Sequence, residues 1–581
     1  MAYRIEYENW LNHPLLTAEG VEELTAIADN EKEIEYRFGA ELEFGTAGMR
    51  GLLGYGTNMM NIYTVRRATQ GLAEYIKSLG EHAKNQGVVI SYDTRKNSEL
   101  FARESAGVLA ANGINVHLFG DVHPVPMLSF AVRYMNAAAG IMITASHNPK
   151  EYNGYKVYGP DGAQMSPEAT KEVVAYIEKI TDFFSVQSET LKNATKGALH
   201  PLVNIVPAHV DKRYYKELSA LSLSKKAVKK IGSKIKLVYT PVHGSGYVPV
   251  THMMKKLGIK ATLVEEQICK DPAFSTVQVP NPELTETLSK GIALANSIGA
   301  DVVFGTDPDC DRLGVAIRDD KNEFLQLSGN QVGILLLDYV LRRLQEDGKL
   351  PQDGFVVKSF VTTGMAKAIA EDYGVKLMET PVGFKFIGEK IKESEISKRG
   401  TFLFGFEESC GYLRGTHSRD KDAVVASMLF AELVCYYTQI GVKVYDRLME
   451  IYAKYGYVLD CNKSYAFDGL GAMDRMNKVV SAFKTITVES FGIHKVVATR
   501  DYSAGVRKTA TGETEEMNIP LNNAVYYEIE NGSFVCIRPS GTEPKLKVYY
   551  SIRAQKKEHA EKALTVISDA FGELLTSVQQ A

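Results

Sequence analysis

Residues 140–164 read GIMITASHNPKEYNGYKVYGPDGAQ. The run GIMITAS is expected to be a buried strand, and it delivers Ser146 into a loop of His147, Asn148 and Pro149. Asn153, Gly154 and Lys156 follow just beyond. A serine at the carboxyl end of a buried strand sits where α/β sheets usually place their active sites. Taken alone, the loop is equally a turn rich in Ser, Asn and Pro. It is not a hydrolase nucleophile elbow, because no G-x-S-x-G surrounds the serine.

The same texture continues on either side. GVVISYD, INVHLFG, KIKLVYT, DVVFGTD, GFVVKSF and TFLFGFE read as further buried strands. Between them lie helical stretches such as SELFARESAGVLAANG and LSGNQVGILLLDYVLRRLQEDG. Continuous apolar strands alternating with helices argue for largely parallel sheets covered on both faces. Residues 1–40 read as a helical, acidic lead-in, with Leu15, Val21, Leu24 and Ile27 at helical spacing. The 581-residue chain is too long for one core. We therefore expect α/β domains over 41–205, 206–325 and 326–455. Beyond them FVCIRPSGTEPKLKVYYSIRA looks like two strands around a loop, with a helix from about Lys557, so 456–581 is expected to be a small α+β domain.

Composition excludes several classes. A net charge of -3 gives no overall basic field for nucleic acid, although a local anion site needs only nearby donors. The six cysteines form no C-x-x-C pair, which argues against a disulfide framework or a zinc site and for a reducing compartment. The first residues lack the apolar core of a secretory signal, and the most apolar run, VGILLLDYVL, is short and carries Asp338. A cytoplasmic protein without membrane or nucleic-acid partners is expected; the oligomeric state is not legible. Neither a P-loop nor a G-x-G-x-x-G occurs.

Three more motifs carry chemistry. DVVFGTDPDCDRLGVA places Asp307, Asp309 and Asp311 on alternate residues, followed by Arg312. Such carboxylates repel one another unless a cation holds them, and hard oxygen ligands suit Mg²⁺. An EF-hand reading fails, because its glycine and final glutamate positions are Arg312 and Arg318. GFEESCGY supplies Glu407, Glu408 and Ser409, acceptors and donors suited to vicinal hydroxyls, although on its own it fits a polar strand-to-loop exit better. IRPSGTEPKLKVYY brings Arg538, Ser540, Gly541, Thr542 and Lys545 into one turn, a set suited to a phosphate dianion, although alone it is equally an ordinary hairpin turn. FGTAGMRG with Arg50, SYDTRKNS with Arg95 and RDKDAVVA with Lys421 are weaker; each also fits a surface turn or a solvated charge cluster.

Together these motifs, in this order, resemble the α-D-phosphohexomutase family, which includes phosphoglucomutases and phosphomannomutases. The resemblance runs from about Leu42 to the C-terminus. It implies three α/β domains with mixed sheets and a small α+β domain around a central cleft. It also implies a phosphosugar mutase interconverting α-D-glucose 1-phosphate and glucose 6-phosphate, with one Mg²⁺ per site and glucose 1,6-bisphosphate as intermediate. Ser146 then matches the phosphoserine, itself on the metal with Asp307, Asp309 and Asp311. Lys156 matches a lysine of proton transfer, while Arg50, Arg95 and His147 match residues around the reacting phosphate. Glu407 and Ser409 match the pair on the sugar hydroxyls, joined by Gly383, Lys421 and Arg312 among substrate-binding positions. Arg538, Ser540, Gly541 and Thr542 match the loop on the second phosphate.

Two departures bear on the sugar. Pro308 and Cys310 stand where many members have glycine, which implies a stiffer metal loop similar to that of bacterial phosphoglucomutases and animal phosphopentomutases. Val382 stands beside Gly383 where several glucose enzymes have threonine. Phosphopentomutase and phosphomannomutase remain the alternatives. A phosphatase with Asp307 as nucleophile leaves the third aspartate, TASHNP and RPSGTEP unexplained, and a non-catalytic binder has little need of both Ser146 and the aspartates.

Overall fold

The computed structural model describes residues 2–45, 48–189, 200–467, 471–540 and 545–580. The chain forms two compact units. One comprises Met1–Leu327, Gly388–Ser397 and Cys410–Ile440; the other comprises Ser328–Ile387, Lys398–Ser409 and Gly441–Ala581. The backbone passes between them at 327/328, 387/388, 397/398, 409/410 and 440/441.

The first unit opens with the expected helices, Ala2–Leu11, Ala18–Ala26 and Glu31–Phe38. Thr17 and Asn30 cap the second and third through their side chains. Trp10, Leu24, Ile34 and Phe38 bury their apolar faces against Tyr63 and Phe183. A six-stranded sheet follows: β1 (Gly48–Leu52), β2 (Val88–Tyr92), β3 (Val116–Leu118), β4 (Ala139–Ile143), β5 (Tyr152–Tyr158) and β6 (Val203–Ile205), in the order β1-β5-β4-β2-β3-β6. Strands β4, β2, β3 and β6 are parallel, while β5 runs antiparallel to both β4 and β1. Every residue of β2 and β4 is buried, which explains their uninterrupted apolar sequences.

A second sheet has the order β11-β10-β9-β7-β8, from β7 (Leu237–Thr240), β8 (Ala261–Leu263), β9 (Val302–Thr306), β10 (Leu313–Arg318) and β11 (Phe324–Leu327). Here β8, β7 and β9 are parallel, and the acidic loop turns the chain from β9 into antiparallel β10. The sheets are mixed because short loops that carry chemistry reverse the chain directly, without a crossover helix.

In the second unit, Gly354–Ser359 lies parallel between Lys376–Thr380 and Thr401–Glu407. The helix Gly329–Glu346 begins in a capping box of Ser328 and Gln331. Its Asp338 is fully buried and meets the Arg447 guanidinium at 2.7 and 3.0 Å, so the polar break in VGILLLDYVL is an internal ion pair. No single helix among the described residues is long and apolar enough to cross a membrane.

The C-terminal sheet is antiparallel. Its strands Phe534–Pro539 and Lys545–Ala554 pair as expected, and the helix Lys557–Gln580 packs on the latter. Six further strands of this sheet, from Tyr457–Ala466 to Val525–Ile529, were not legible, because most of them are short or alternate with exposed residues and give no long apolar run. Within this unit Phe360 stacks on Tyr502 with ring centroids 4.1 Å apart. Beside them Glu379 accepts Lys358 at 2.8 Å and Arg500 at 3.0 Å, tying the parallel strands to the C-terminal sheet.

Two outcomes follow from these charges. Asp338→Ala removes the buried carboxylate from Arg447, which keeps the largely exposed Glu450 at 2.8 Å, and is expected to cost about 3 kcal/mol, read by urea unfolding. Burial alone would raise the Glu379 pKa, but Lys358 and Arg500 hold it down at about 2. Its contribution is therefore complete above the ordinary glutamate range and is lost as pH falls toward 2. Glu379→Gln is expected to flatten that acid limb in a series of urea midpoints against pH.

Candidate active site

The first unit brings the serine loop and the acidic loop together. Ser146 follows β4 with φ 51°, in the left-handed region that a serine adopts only when its surroundings hold it there. Thr144 Oγ1 accepts the Ser146 N–H at 2.8 Å. Arg95 donates to the carbonyls of Ser146 at 2.6 Å, Asn148 at 2.5 Å and Pro149 at 2.9 Å. Arg95 is itself 3.3 Å from Asp93, both side chains fully buried. It is no surface turn: this buried pair clamps the backbone that presents Ser146. Arg50, on β1, is exposed and donates to Asn148 Oδ1 at 3.0 Å.

The Ser146 hydroxyl donates to Asp307 Oδ2 at 3.0 Å and lies 3.2 Å from His147 Nδ1. Burial, then the charges of Arg312 and Arg50, hold the His147 pKa well below its ordinary value. Asp307, Asp309 and Asp311 are at most 1% exposed, and each offers an oxygen within 4.8 Å of the others'. Asp307 turns its other oxygen to the N–H groups of Asp311 and Arg312. Burial and its two acidic neighbours push the Asp307 pKa well up. Burial would raise Asp309 too, but Lys156 on β5, bonded at 2.8 Å, holds it far down.

Lys421 adds a second cation, 3.0 Å from Asp311. Its flanking aspartates form no solvated cluster. Asp422 is buried, caps the helix Ala423–Gln439 and accepts from Tyr214 and His417; buried Asp420 accepts from Tyr158. Arg312 points one guanidinium nitrogen at Glu283, 2.5 Å away.

Two buried oxygens, Asp309 Oδ1 and Asp311 Oδ1, have no hydrogen-bond partner. Leaving such oxygens bare is costly, and an all-carboxylate set with free lone pairs fits a divalent cation. Asp307, Asp309 and Asp311 are thus the residues that can hold one.

The loop's rigidity comes partly from a segment that sequence reasoning passed over, HGSG at 243–246. Ser245 donates from both its N–H and its Oγ to the Pro308 carbonyl at 2.8 Å. A Cβ on Gly244 would lie 2.5 Å from Pro308 Cα and 2.9 Å from the Asp307 carbonyl oxygen. Cys310 holds φ 52°, in the left-handed region that favours glycine; its thiol is buried and its N–H bonds the Asp307 carbonyl at 2.9 Å. The glycine-rich HGSG beside an acidic loop was the available signal, but only the fold shows that the two touch.

In the second unit, Glu407 ends its strand buried and accepts the Gly383 N–H at 2.7 Å. Gly383 has φ 123°, a conformation that favours glycine, and it opens the helix Phe384–Ser397. Glu408 turns the other way, to Ser359 at 3.2 Å and Thr362 at 3.1 Å, and half-buried Ser409 follows. Arg538 and Ser540 lie at the end of Phe534–Pro539, where the Ser540 N–H bonds the Lys545 carbonyl at 2.8 Å and closes the hairpin. Gly541 and Thr542 lie outside the described residues.

Gly244→Ala is expected to push Pro308 aside, lower stability by about 1–3 kcal/mol and weaken divalent-ion binding about tenfold or more, since ligand placement sets affinity. Mn²⁺ titration followed by EPR measures the second effect. Wild-type affinity would show that HGSG does not set the loop.

Models of the phosphoglucomutase/phosphomannomutase alpha/beta/alpha domains I, II and III match residues 41–183, 212–321 and 328–455. A phosphoglucomutase of Staphylococcus epidermidis is 36% identical over 537 residues, 91% of this chain and 93% of that protein. One of Staphylococcus aureus is 35% identical over 535 residues, again 91% and 93%. Among solved structures, a putative phosphomannomutase of Thermus thermophilus superposes with TM-score 0.66 at 24% identity, covering 92% of this chain and 99% of its own. The Paramecium phosphoprotein parafusin, a phosphoglucomutase, gives 0.67 at 17%, covering 93% and 95%. These two share the fold. With more than half its length matched by the domain models and over nine-tenths by relatives at that identity, the chain belongs to the phosphoglucomutase/phosphomannomutase family.

Proposed function

We propose that the protein interconverts α-D-glucose 1-phosphate and glucose 6-phosphate through phosphorylated Ser146 and a bound glucose 1,6-bisphosphate. The observation that carries this reading is the 3.0 Å hydrogen bond from Ser146 to Asp307, the first carboxylate of a buried, cation-flanked triad. The choice of glucose rests on the names of the staphylococcal relatives. Mg²⁺ suits the oxygen-only donors, and when bound it supplies charge neutralisation for the transferring phosphoryl group.

In this reading the bond between Ser146 Oγ and phosphorus breaks as a free sugar hydroxyl bonds to phosphorus. The Lys156 ammonium, which lies against Asp309, gives a proton to the departing Ser146 oxygen and takes the hydroxyl proton in its place. The intermediate then turns over, and its other phosphate returns to Ser146. Arg95, occupied by backbone carbonyls, holds the serine loop, whereas exposed Arg50 is free to meet the phosphate. Glu407, with Gly383 and Ser409, receives the sugar hydroxyls. Arg538, Ser540, Gly541 and Thr542 grip the phosphate that is not reacting. Arg312 and Lys421 keep the acidic loop charge-balanced at the substrate side. Four modules, at 41–205, 206–325, 326–455 and 456–581, divide these tasks.

Ser146→Ala is expected to lower turnover on the order of 10³-fold or more while glucose 6-phosphate affinity stays within a few-fold. Wild-type-like turnover would remove the phosphoserine assignment. ³¹P NMR with glucose 1-phosphate and, separately, ribose 1-phosphate, each primed with its bisphosphate, checks the substrate. Faster conversion of the glucose ester without free phosphate is expected. Faster ribose conversion would make it a pentose enzyme, and release of phosphate a hydrolase.

A further inference from the structure

Away from Ser146 the first unit holds a cavity of about 610 Å³, within the range of small-molecule sites. Its wall carries Lys225, Lys229, Lys255 and Lys256 and no carboxylate. The lysines arrive in pairs. Lys225 and Lys229 lie on the short helix Lys225–Ile231, and Lys255 and Lys256 end the helix Tyr247–Lys256. Elsewhere in the same unit Lys270 and Lys290 are paired with Asp121 and Glu266. None of the four cavity lysines forms an ion pair with a carboxylate among the described residues; the polar partner found for Lys256 is the Ser219 hydroxyl at 3.4 Å.

A solvated basic face would explain four lysines on a convex surface. Here they converge on a concavity, in a chain whose net charge is -3, so their fields add where a ligand would sit. The floor is of another kind. Met253 and Val228 are buried, and Met428 and partly buried Leu257 complete an apolar surface. Two of these are methionines, whose flexible thioethers adapt to flat or irregular ligand faces. Ser219 and Ser222 supply hydroxyls at the edge, and Ser222 is fixed by donating to the buried carboxylate of Glu432 at 2.9 Å. Ammonium groups above, an apolar floor below and hydroxyls between match a ligand with phosphates, a flat body and a hydroxylated link.

We propose that this cavity is a second binding site, taking a small organic anion with two or more phosphates on a planar apolar body, the class of a nucleoside di- or triphosphate. It shares no residue with the site built on Ser146.

The probe is ADP, titrated calorimetrically into the full-length protein at low and high salt, with pyrophosphate and adenosine in parallel. ADP is expected to bind more tightly than either fragment and to weaken as salt rises. The double variant Lys229→Glu/Lys255→Glu is expected to lose at least about tenfold in ADP affinity, since two charges change sign. Its unfolding temperature and mutase turnover should stay near wild type. Ser146→Ala should bind ADP as the wild type does. Equal ADP affinity in the double variant, or its loss in Ser146→Ala, would overturn the proposal by locating the nucleotide elsewhere. Pyrophosphate binding as tightly as ADP would overturn the role of the apolar floor. All of these outcomes leave the mutase reading untouched, because none reads sugar turnover as evidence of binding.

Discussion

Three carboxylates buried within 4.8 Å of one another are the constraint around which the first unit is organised. Burial strips these carboxylates of most solvent screening, so like charges repel strongly and the protein must supply compensation from several directions. It does so with Lys156 from β5, Lys421 from the cap of a helix far along the chain and two N–H groups turned onto Asp307. Even so, two oxygens stay bare. The loop is held in a form able to take a metal ion.

That constraint explains local choices that look odd in isolation. A left-handed Ser146 and a left-handed Cys310 are both unfavourable, by about 1–3 kcal/mol each, and each is held by hydrogen bonds from its neighbours. The serine loop is clamped by a buried Arg95–Asp93 pair, so Ser146 is positioned by backbone contacts before any substrate arrives. Preorganisation of this kind suits phosphoryl transfer, in which positioning and electrostatics do most of what a protein can contribute.

What could be read in advance follows from where the information lies. The strands before Ser146, Asp307 and Glu407 announced themselves because full burial forces unbroken apolar runs, and the carboxylate spacing announced a cluster that can hold a cation. The support was not legible. Arg95 and Asp422 look like surface charges until the fold buries them, and HGSG carries no chemistry of its own. Lys156 was legible as a residue but not as part of an antiparallel strand between β4 and β1, a placement that depends on distant pairing. The C-terminal sheet was mostly missed, since half-exposed antiparallel strands resemble loops when each is read singly.

The repeated passage of the backbone between the two units bears on how the protein is made. The aspartates leave the ribosome well before residue 421, and the last piece of the first unit, Cys410–Ile440, follows two segments of the second. Until that piece is synthesised, the acidic loop lacks the ammonium of Lys421 and the helix that presents it. The first unit therefore cannot finish folding as the leading half of a nascent chain; it waits, with its charges only partly compensated, for a segment that follows two stretches of the second unit along the chain. A fragment ending anywhere before residue 440 is incomplete in the same way, however much of the apparent active site it contains.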